Sequence, residues 1–195
     1  IIAFNKDYWI DEMNNSKNIS TNDPNQNFWR AKISPIKFDE ELIGTEQELY
    51  LNKAIFLLES FRDNKLKPNE VFDTNQLATL MALRAIFGSA EFDTNDLKFY
   101  YNPITNLLEP ISREIHSAHE IFYYYSSWLF DTEKLVTPWH KYFLNLLYQN
   151  KEFKEKFYGE LYRLTSQPYI DKLIKKNKNE FEKNKEILEI NYPEK

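Results

Sequence analysis

DTNDLKFYYNPITNLLEPISREIHSAHE, running from Asp93 to Glu120, reads as a β-hairpin with carboxylates at both of its open ends. Leu97, Phe99 and Tyr101 alternate with Lys98 and Tyr100, the period of a strand with one buried face. Asn102-Pro103-Ile104-Thr105-Asn106 supplies turn chemistry, because proline fixes φ and asparagine tolerates the left-handed region. Leu107, Leu108 and Ile111 form the return strand, and Pro110 marks it as an edge or a strand end. Asp93 and Asp96 precede the first strand, and Glu114 follows the second. A hairpin brings its open ends together, so residues distant in number share one small acidic region. Such a pair suits a divalent cation held against nucleotide phosphates, as phosphoryl transfer requires. Acidic residues flanking a hairpin also occur as plain solvated loop.

Outward from the hairpin the pattern is helical. Thr45 with Glu48 forms a capping box, and the helix after it places Tyr50, Ala54, Leu57, Leu58 and Phe61 on one face before Lys67-Pro68-Asn69. Asp73 caps a second helix with Gln76 at the reciprocal position. Leu77, Leu80 and Met81, with Ala78, Ala82 and Ala85, make that helix apolar nearly all round, so it is read as the buried central one. It delivers Glu91 and Asp96 beyond its C-terminal end. Ala118–Phe130 is read as helical or irregular. Thr137-Pro138 starts another helix, Asn150 caps the next, and Gln167-Pro168 opens the last, with Ile170, Leu173, Ile174, Phe181, Ile187 and Leu188. Upstream, residues 1–10 read as a short strand, Asp11 to Gln26 as loop, and Phe28 to Phe38 as extended chain around Pro35. Helices around one short hairpin imply a mainly α (α+β) fold.

Composition narrows the function classes. The 195 residues suffice for one well-buried domain, and the 16% of aromatics suits a thick core. With only Gly44, Gly88 and Gly159, neither GxGxxG nor a Walker A loop can be written. Net charge is −5 and no basic stripe is interleaved with aromatics, which argues against a nucleic-acid partner. No apolar run approaches membrane-spanning length. Cysteine is absent, so there is no disulfide and no thiol nucleophile. Lys172, Lys175, Lys176 and Lys178, followed by Glu180, Glu182, Glu186 and Glu189, read as a solvated helix face.

Lys98-Phe99-Tyr100-Tyr101-Asn102-Pro103-Ile104-Thr105, followed by Leu108-Glu109-Pro110-Ile111, resembles the spore-coat protein H (CotH) kinase family. Phe72-Asp73 with Leu77-Ala78 and Ile86-Phe87-Gly88 resembles that family's helix before the catalytic loop. Leu146-Leu147, Asn150, Glu152-Phe153, Tyr158, Leu161 and Leu164-Thr165 resemble its C-terminal helices, so the likeness spans about Trp29 to Tyr192. The resemblance implies the helical C-lobe of an atypical protein-kinase-like fold, with the hairpin at the metal site. Residues 45–195 would form that lobe, and residues 1–44 a strand and loop segment left from the N-lobe and linker of a longer protein. It implies ATP and Mg²⁺ (or Mn²⁺) as cofactors. The γ-phosphate would go to Ser or Thr of a coat or surface protein, on a bacterial cell surface, in a spore coat or outside the cell.

Departures from the family pattern fall at the acids. Asp96 stands where the family has a metal-binding Asn, and Glu114, in Ser112-Arg113-Glu114, where it has a metal-binding Asp. Glu91 stands where a catalytic Asp belongs, with Asp93 as the fallback base. Arg113 could grip phosphate through its guanidinium fork or pair with a carboxylate. Each replacement keeps an oxygen donor, but an extra methylene shifts a ligand by about an ångström, enough to cost about 10²-fold in rate. The competing expectation is therefore a catalytically degenerate surface scaffold. His116, His119 and Glu120 offer a weaker zinc option without HExxH, and neither Ser89 nor Ser112 sits in a GxSxG elbow. The aromatic band Phe122 to Phe130 reads as core or as a sugar or peptide platform.

Overall fold

In the computed structural model of the chain the described residues are 1–5, 32–35, 43–87, 97–112 and 138–191. In order they form β1 (Ile2–Asn5), β2 (Lys32–Pro35), α1 (Glu46–Arg62), α2 (Pro68–Val71), α3 (Thr74–Phe87), β3 (Lys98–Asn102), β4 (Leu107–Ile111), α4 (Pro138–Gln149), α5 (Lys151–Thr165) and α6 (Gln167–Asn191). The chain is mainly helical with one small antiparallel sheet, as the pattern predicts. The sheet is larger than the expected hairpin: its order is β2-β1-β3-β4. β1 pairs with β2 from Ile2↔Pro35 to Asn5↔Lys32, and with β3 at Ile2↔Phe99 and Ala3↔Lys98. Its inward residues Ile2 and Ile33 are buried in the core shared with α1. β4 lies at the edge, where the missing N–H of Pro110 leaves no gap in a ladder.

The hairpin alternation is as read. Leu97, Phe99 and Tyr101 are buried while Tyr100 is exposed. The inward face packs on an aromatic cluster drawn from four separate segments. Phe72 meets Phe61 of α1 edge-on at 4.8 Å between ring centroids, Phe99 of β3 at 5.2 Å and Phe143 of α4 at 6.1 Å. Such pairs add about 0.5–1.5 kcal/mol each beyond their burial.

Phe72 is fixed by the backbone as well. It bridges Leu108 of β4, and the Asp73 N–H donates to the Leu108 carbonyl at 2.9 Å. That bond alters the expected cap. Asp73 Oδ1 accepts from the Asn75 and Gln76 N–H groups, both at 3.0 Å, as an N-cap should. The Gln76 side chain does not return to the Asp73 N–H, which Leu108 already occupies; its Nε2 donates to Asp73 Oδ2 at 3.0 Å. The Thr45 box differs similarly. Thr45 forms no side-chain cap bond to α1, and the Glu48 carboxylate accepts from the Gly44 N–H at 2.6 Å. Gly44, at φ 80, adopts the left-handed turn that precedes α1. The Lys67-Pro68-Asn69 break lies past the end of α1 at Arg62, and Pro68 starts the single turn of α2.

α3 is buried along most of its length, with Leu77, Ala78, Leu80, Met81 and Ala82 enclosed. Arg84 is buried as fully as the core phenylalanines, its long side chain filling core volume. α5 packs along α3 and is tied to it by polar links: Lys156 Nζ donates to Thr74 Oγ1 at 2.7 Å and Thr79 Oγ1 to Glu160 at 2.9 Å. Glu160 also accepts from Nε and Nη2 of Arg163, at 3.0 and 2.7 Å. Those Arg163 bonds, helped by Thr79 and opposed by partial desolvation, hold the Glu160 carboxyl below the usual carboxylate range. Tyr148, packed on Phe153 and Phe157, has a buried hydroxyl with no hydrogen-bond partner among the described residues. Burial raises its pKa. Among the described residues no helix is long and apolar enough to cross a membrane.

Two outcomes follow for stability. Phe72→Ala should cost about 3–5 kcal/mol in urea unfolding, against about 0.5–2 kcal/mol for Asp73→Ala, because the first opens the core and the second only uncaps α3. A carboxyl whose folded pKa is lowered stabilises above its unfolded value and loses that contribution as pH falls through the folded one. Glu160→Gln should therefore be less stable than wild type at neutral pH. The difference should close below about pH 4, as denaturant midpoints measured across the acid range will show.

Candidate functional site

The hairpin is built in register from Lys98↔Ile111 at its open end to Asn102↔Leu107 at its turn. The turn is locked by asparagines. Asn102 Oδ1 accepts from the Ile104 and Thr105 N–H groups, at 2.9 and 3.4 Å, an Asx turn that Pro103 leaves undisturbed because it has no N–H to satisfy. Asn102 Nδ2 donates across the hairpin to Glu109 at 2.6 Å. Asn106 sits at φ 57, its N–H closes on the Asn102 carbonyl at 2.8 Å, and its Oδ1 accepts from the Tyr101 hydroxyl at 2.8 Å. The motif that carries the family resemblance thus divides by role. Phe99 and Leu108 bury, Asn102 and Asn106 close the turn, and Pro110 lies on the sheet edge.

At the open end, Leu97 is buried and Ser112 is exposed. The expected general bases Glu91 and Asp93, the expected metal ligands Asp96 and Glu114, and the phosphate candidate Arg113 all lie outside the described residues. So do Ser89, His116, His119, Glu120 and the aromatic band. Among the described residues there is no group of three or more His, Cys, Asp or Glu that could hold a metal ion. What is described beside the open end is a shallow cleft of about 360 Å³ between α3 and β4. Asn75, Gln76 and Thr79 offer amide and hydroxyl groups, Leu80 and Leu83 form an apolar floor, and Pro110 and Ser112 close the strand side. The wall is uncharged, so its chemistry is hydrogen bonding and apolar contact.

A second cleft, of about 340 Å³, opens at the turn end between α1, β1 and the hairpin. Tyr50, Tyr100 and Tyr101 line it with Pro35, Pro103 and Glu48. Tyr50 and Tyr101 lie 6.0 Å apart between ring centroids. The Tyr50 hydroxyl donates to the Glu46 carboxylate, and that bond raises the phenol pKa. The alternation of β3 foretold an exposed Tyr100, but no sequence signal joins it to Tyr50, which comes from a different element. The Asn-Pro dipeptide was the available signal for the Asx turn.

No protein-family model matches the chain, and neither a curated protein nor a solved structure matches it.

The turn makes its own prediction. Asn106→Val forces a β-branched residue to positive φ and deletes the Tyr101 contact, so thermal unfolding should show a loss of about 1–3 kcal/mol. Asn106→Gly tolerates the backbone and loses only the side-chain bond, so its loss should stay near about 1 kcal/mol.

Proposed function

We propose that the chain belongs to a CotH-like phosphotransferase, acting on a protein of a bacterial coat or surface from the C-lobe side of a kinase-like fold. In the reaction an acceptor Ser or Thr oxygen bonds to the γ-phosphorus of ATP as the bond to the β–γ bridging oxygen breaks, and ADP leaves. Glu91, or Asp93 in its place, would accept the hydroxyl proton. Asp96 and Glu114 supply the hard oxygen donors that Mg²⁺ or Mn²⁺ prefers, and the cation would neutralise charge on the β- and γ-phosphate oxygens. Arg113 would bind phosphate through its guanidinium fork.

The supporting observation is the register of the hairpin. Lys98 faces Ile111, so the chain enters and leaves the sheet at neighbouring points. Asp96 is two residues before one of those points and Glu114 three residues after the other. Neighbouring strand ends are what a cation shared by Asp96 and Glu114 would require, and those ends rest on a hairpin anchored to the core through Phe99 and Leu108.

One observation favours a second reading, a degenerate scaffold that binds protein or glycan at a surface. Phe99, Tyr101, Asn102 and Leu108 each have a folding role that accounts for them without catalysis. Folding alone would keep the resemblance motif while the acids drift.

The test is phosphoryl transfer. The chain, and any longer natural protein that contains it, is incubated with labelled ATP, Mg²⁺ or Mn²⁺ and a Ser-rich acceptor. Transfer should occur and fall by at least about 10²-fold in both Asp96→Ala and Glu114→Ala. Equal transfer in both variants would remove the cation assignment. No transfer, with no stabilisation by ATP and metal in a thermal shift assay, would leave the scaffold.

A further inference from the structure

Among the described residues, α6 meets the core near its start, through Tyr169. Every residue from Asp171 to Ile190 is exposed. At 1.5 Å per residue that is about 30 Å of helix in water. Helices in water draw most of their stability from burying an apolar face, and isolated ones are marginal. α6 has such a face: Ile174 is 61% exposed, Phe181 69% and Leu188 58%.

The face has a definite period. Ile174, Phe181 and Leu188 recur every seven residues, and Ile170, Asn177, Asn184 and Asn191 recur every seven between them. Alternating steps of four and three residues define a coiled-coil seam. Leu173 and Ile187 widen it on one side.

Turning the seam end for end about Phe181 brings its like layers close to one another. Ile174 then lies opposite Leu188 of the partner subunit, Asn177 lies one residue from Asn184 of the partner subunit and Leu173 two residues from Ile187 of the partner subunit. The apolar pair meets directly, and the amides are offset by one residue, about 1.5 Å along the axis. Charge follows the same symmetry. Asp171 to Lys178 holds four lysines against one aspartate, and Glu180 to Glu189 four glutamates against two lysines. Antiparallel pairing lays the basic half of each helix along the acidic half of the other, whereas parallel pairing stacks like on like.

We propose that α6 pairs antiparallel with α6 of a second copy of this chain, forming a twofold dimer centred on Phe181. The occupant is a second copy because one sequence supplies both complementary surfaces, as an isologous interface requires. A membrane surface fits less well, since helices that lie on anionic lipid have a basic polar face, and the second half of α6 is acidic. Asn177 and Asn184 would fix register at some loss of strength, so the dimer should dissociate in the micromolar range. Asn177 Nδ2 donates to the Leu173 carbonyl at 2.9 Å in the single chain and would turn toward the seam on pairing. The proposal does not depend on the phosphotransfer reading.

Sedimentation of the whole chain across about 1–200 µM reads the association directly. A monomer–dimer equilibrium is expected that weakens at least about tenfold in Phe181→Asp and weakens with added salt. Phe181 is exposed in the single chain, so at concentrations where wild type is monomeric the variant should match its circular dichroism and melting temperature. Cross-linking reads the orientation, and the absence of native cysteine makes it clean. Mixed Ile174→Cys and Leu188→Cys chains should oxidise to the 174–188 heterodimer in preference to either homodimer. A chain monomeric at every concentration, a dimer indifferent to Phe181→Asp, or preferential 174–174 and 188–188 linkage would overturn the proposal. So would binding to phosphatidylserine vesicles without self-association.

Discussion

One hydrogen bond and one ring join the hairpin to the start of α3 at the centre of the described core. The Asp73 N–H donates to the Leu108 carbonyl, and the Phe72 side chain, one residue earlier, fills the space between α1, α4 and the hairpin. The join adds to a packed sheet face on which Ile2, Ile33, Phe99 and Leu108 share one core with the helices. A four-strand sheet of such short strands needs a packed face to be stable. Asp73 then uses its carboxylate to cap α3, so one dipeptide sets the sheet, the core and the start of the central helix. The loss of the expected reciprocal cap is a consequence of the join, because a single N–H cannot serve both Gln76 and Leu108.

From this join the rest follows by packing. α3 is enclosed because α5 lies along it, held by Lys156 to Thr74 and Glu160 to Thr79. The hairpin's inward residues meet the aromatic cluster, while its outward residues and its turn remain available. Both described clefts lie where the sheet meets a helix: one between β4 and α3, the other between the turn and α1. The proposed cation site would depend on the same mount, since Asp96 and Glu114 are tethered to strands that the core fixes in place.

The hairpin was legible in the sequence because its signals are local. Leu97, Phe99 and Tyr101 declare a buried face, and Asn102 to Asn106 a turn, through a proline that fixes φ and asparagines that tolerate the left-handed region. The caps at Asp73 and Asn150 were legible for the same reason. β1 was read only as a strand, and its pairing with β3 was not foreseen. The pairing joins residues nearly a hundred positions apart, and four residues have too few alternations to name a partner. Thr45 misled because a capping box is a pattern of residue types, and Gly44 presents its own N–H to Glu48. The apolar spacing of α6 announced a helix but not its exposure, since periodicity shows that a face exists and not what covers it. Of the candidate site, the hairpin frame is described; Glu91, Asp93, Asp96, Arg113 and Glu114 lie beyond it.

Native-state hydrogen exchange tests the join most directly. If Phe72 and Asp73 weld the hairpin to the helical body, the Asp73 amide, the β3–β4 ladder amides and the α3 amides around Leu80 and Met81 will open together. They should share one opening free energy and one urea dependence. Hairpin and Asp73 amides that exchange through a lower-energy opening, while α3 stays protected, would contradict the account. The sheet would then be a separately unfolding flap and no fixed mount for a site.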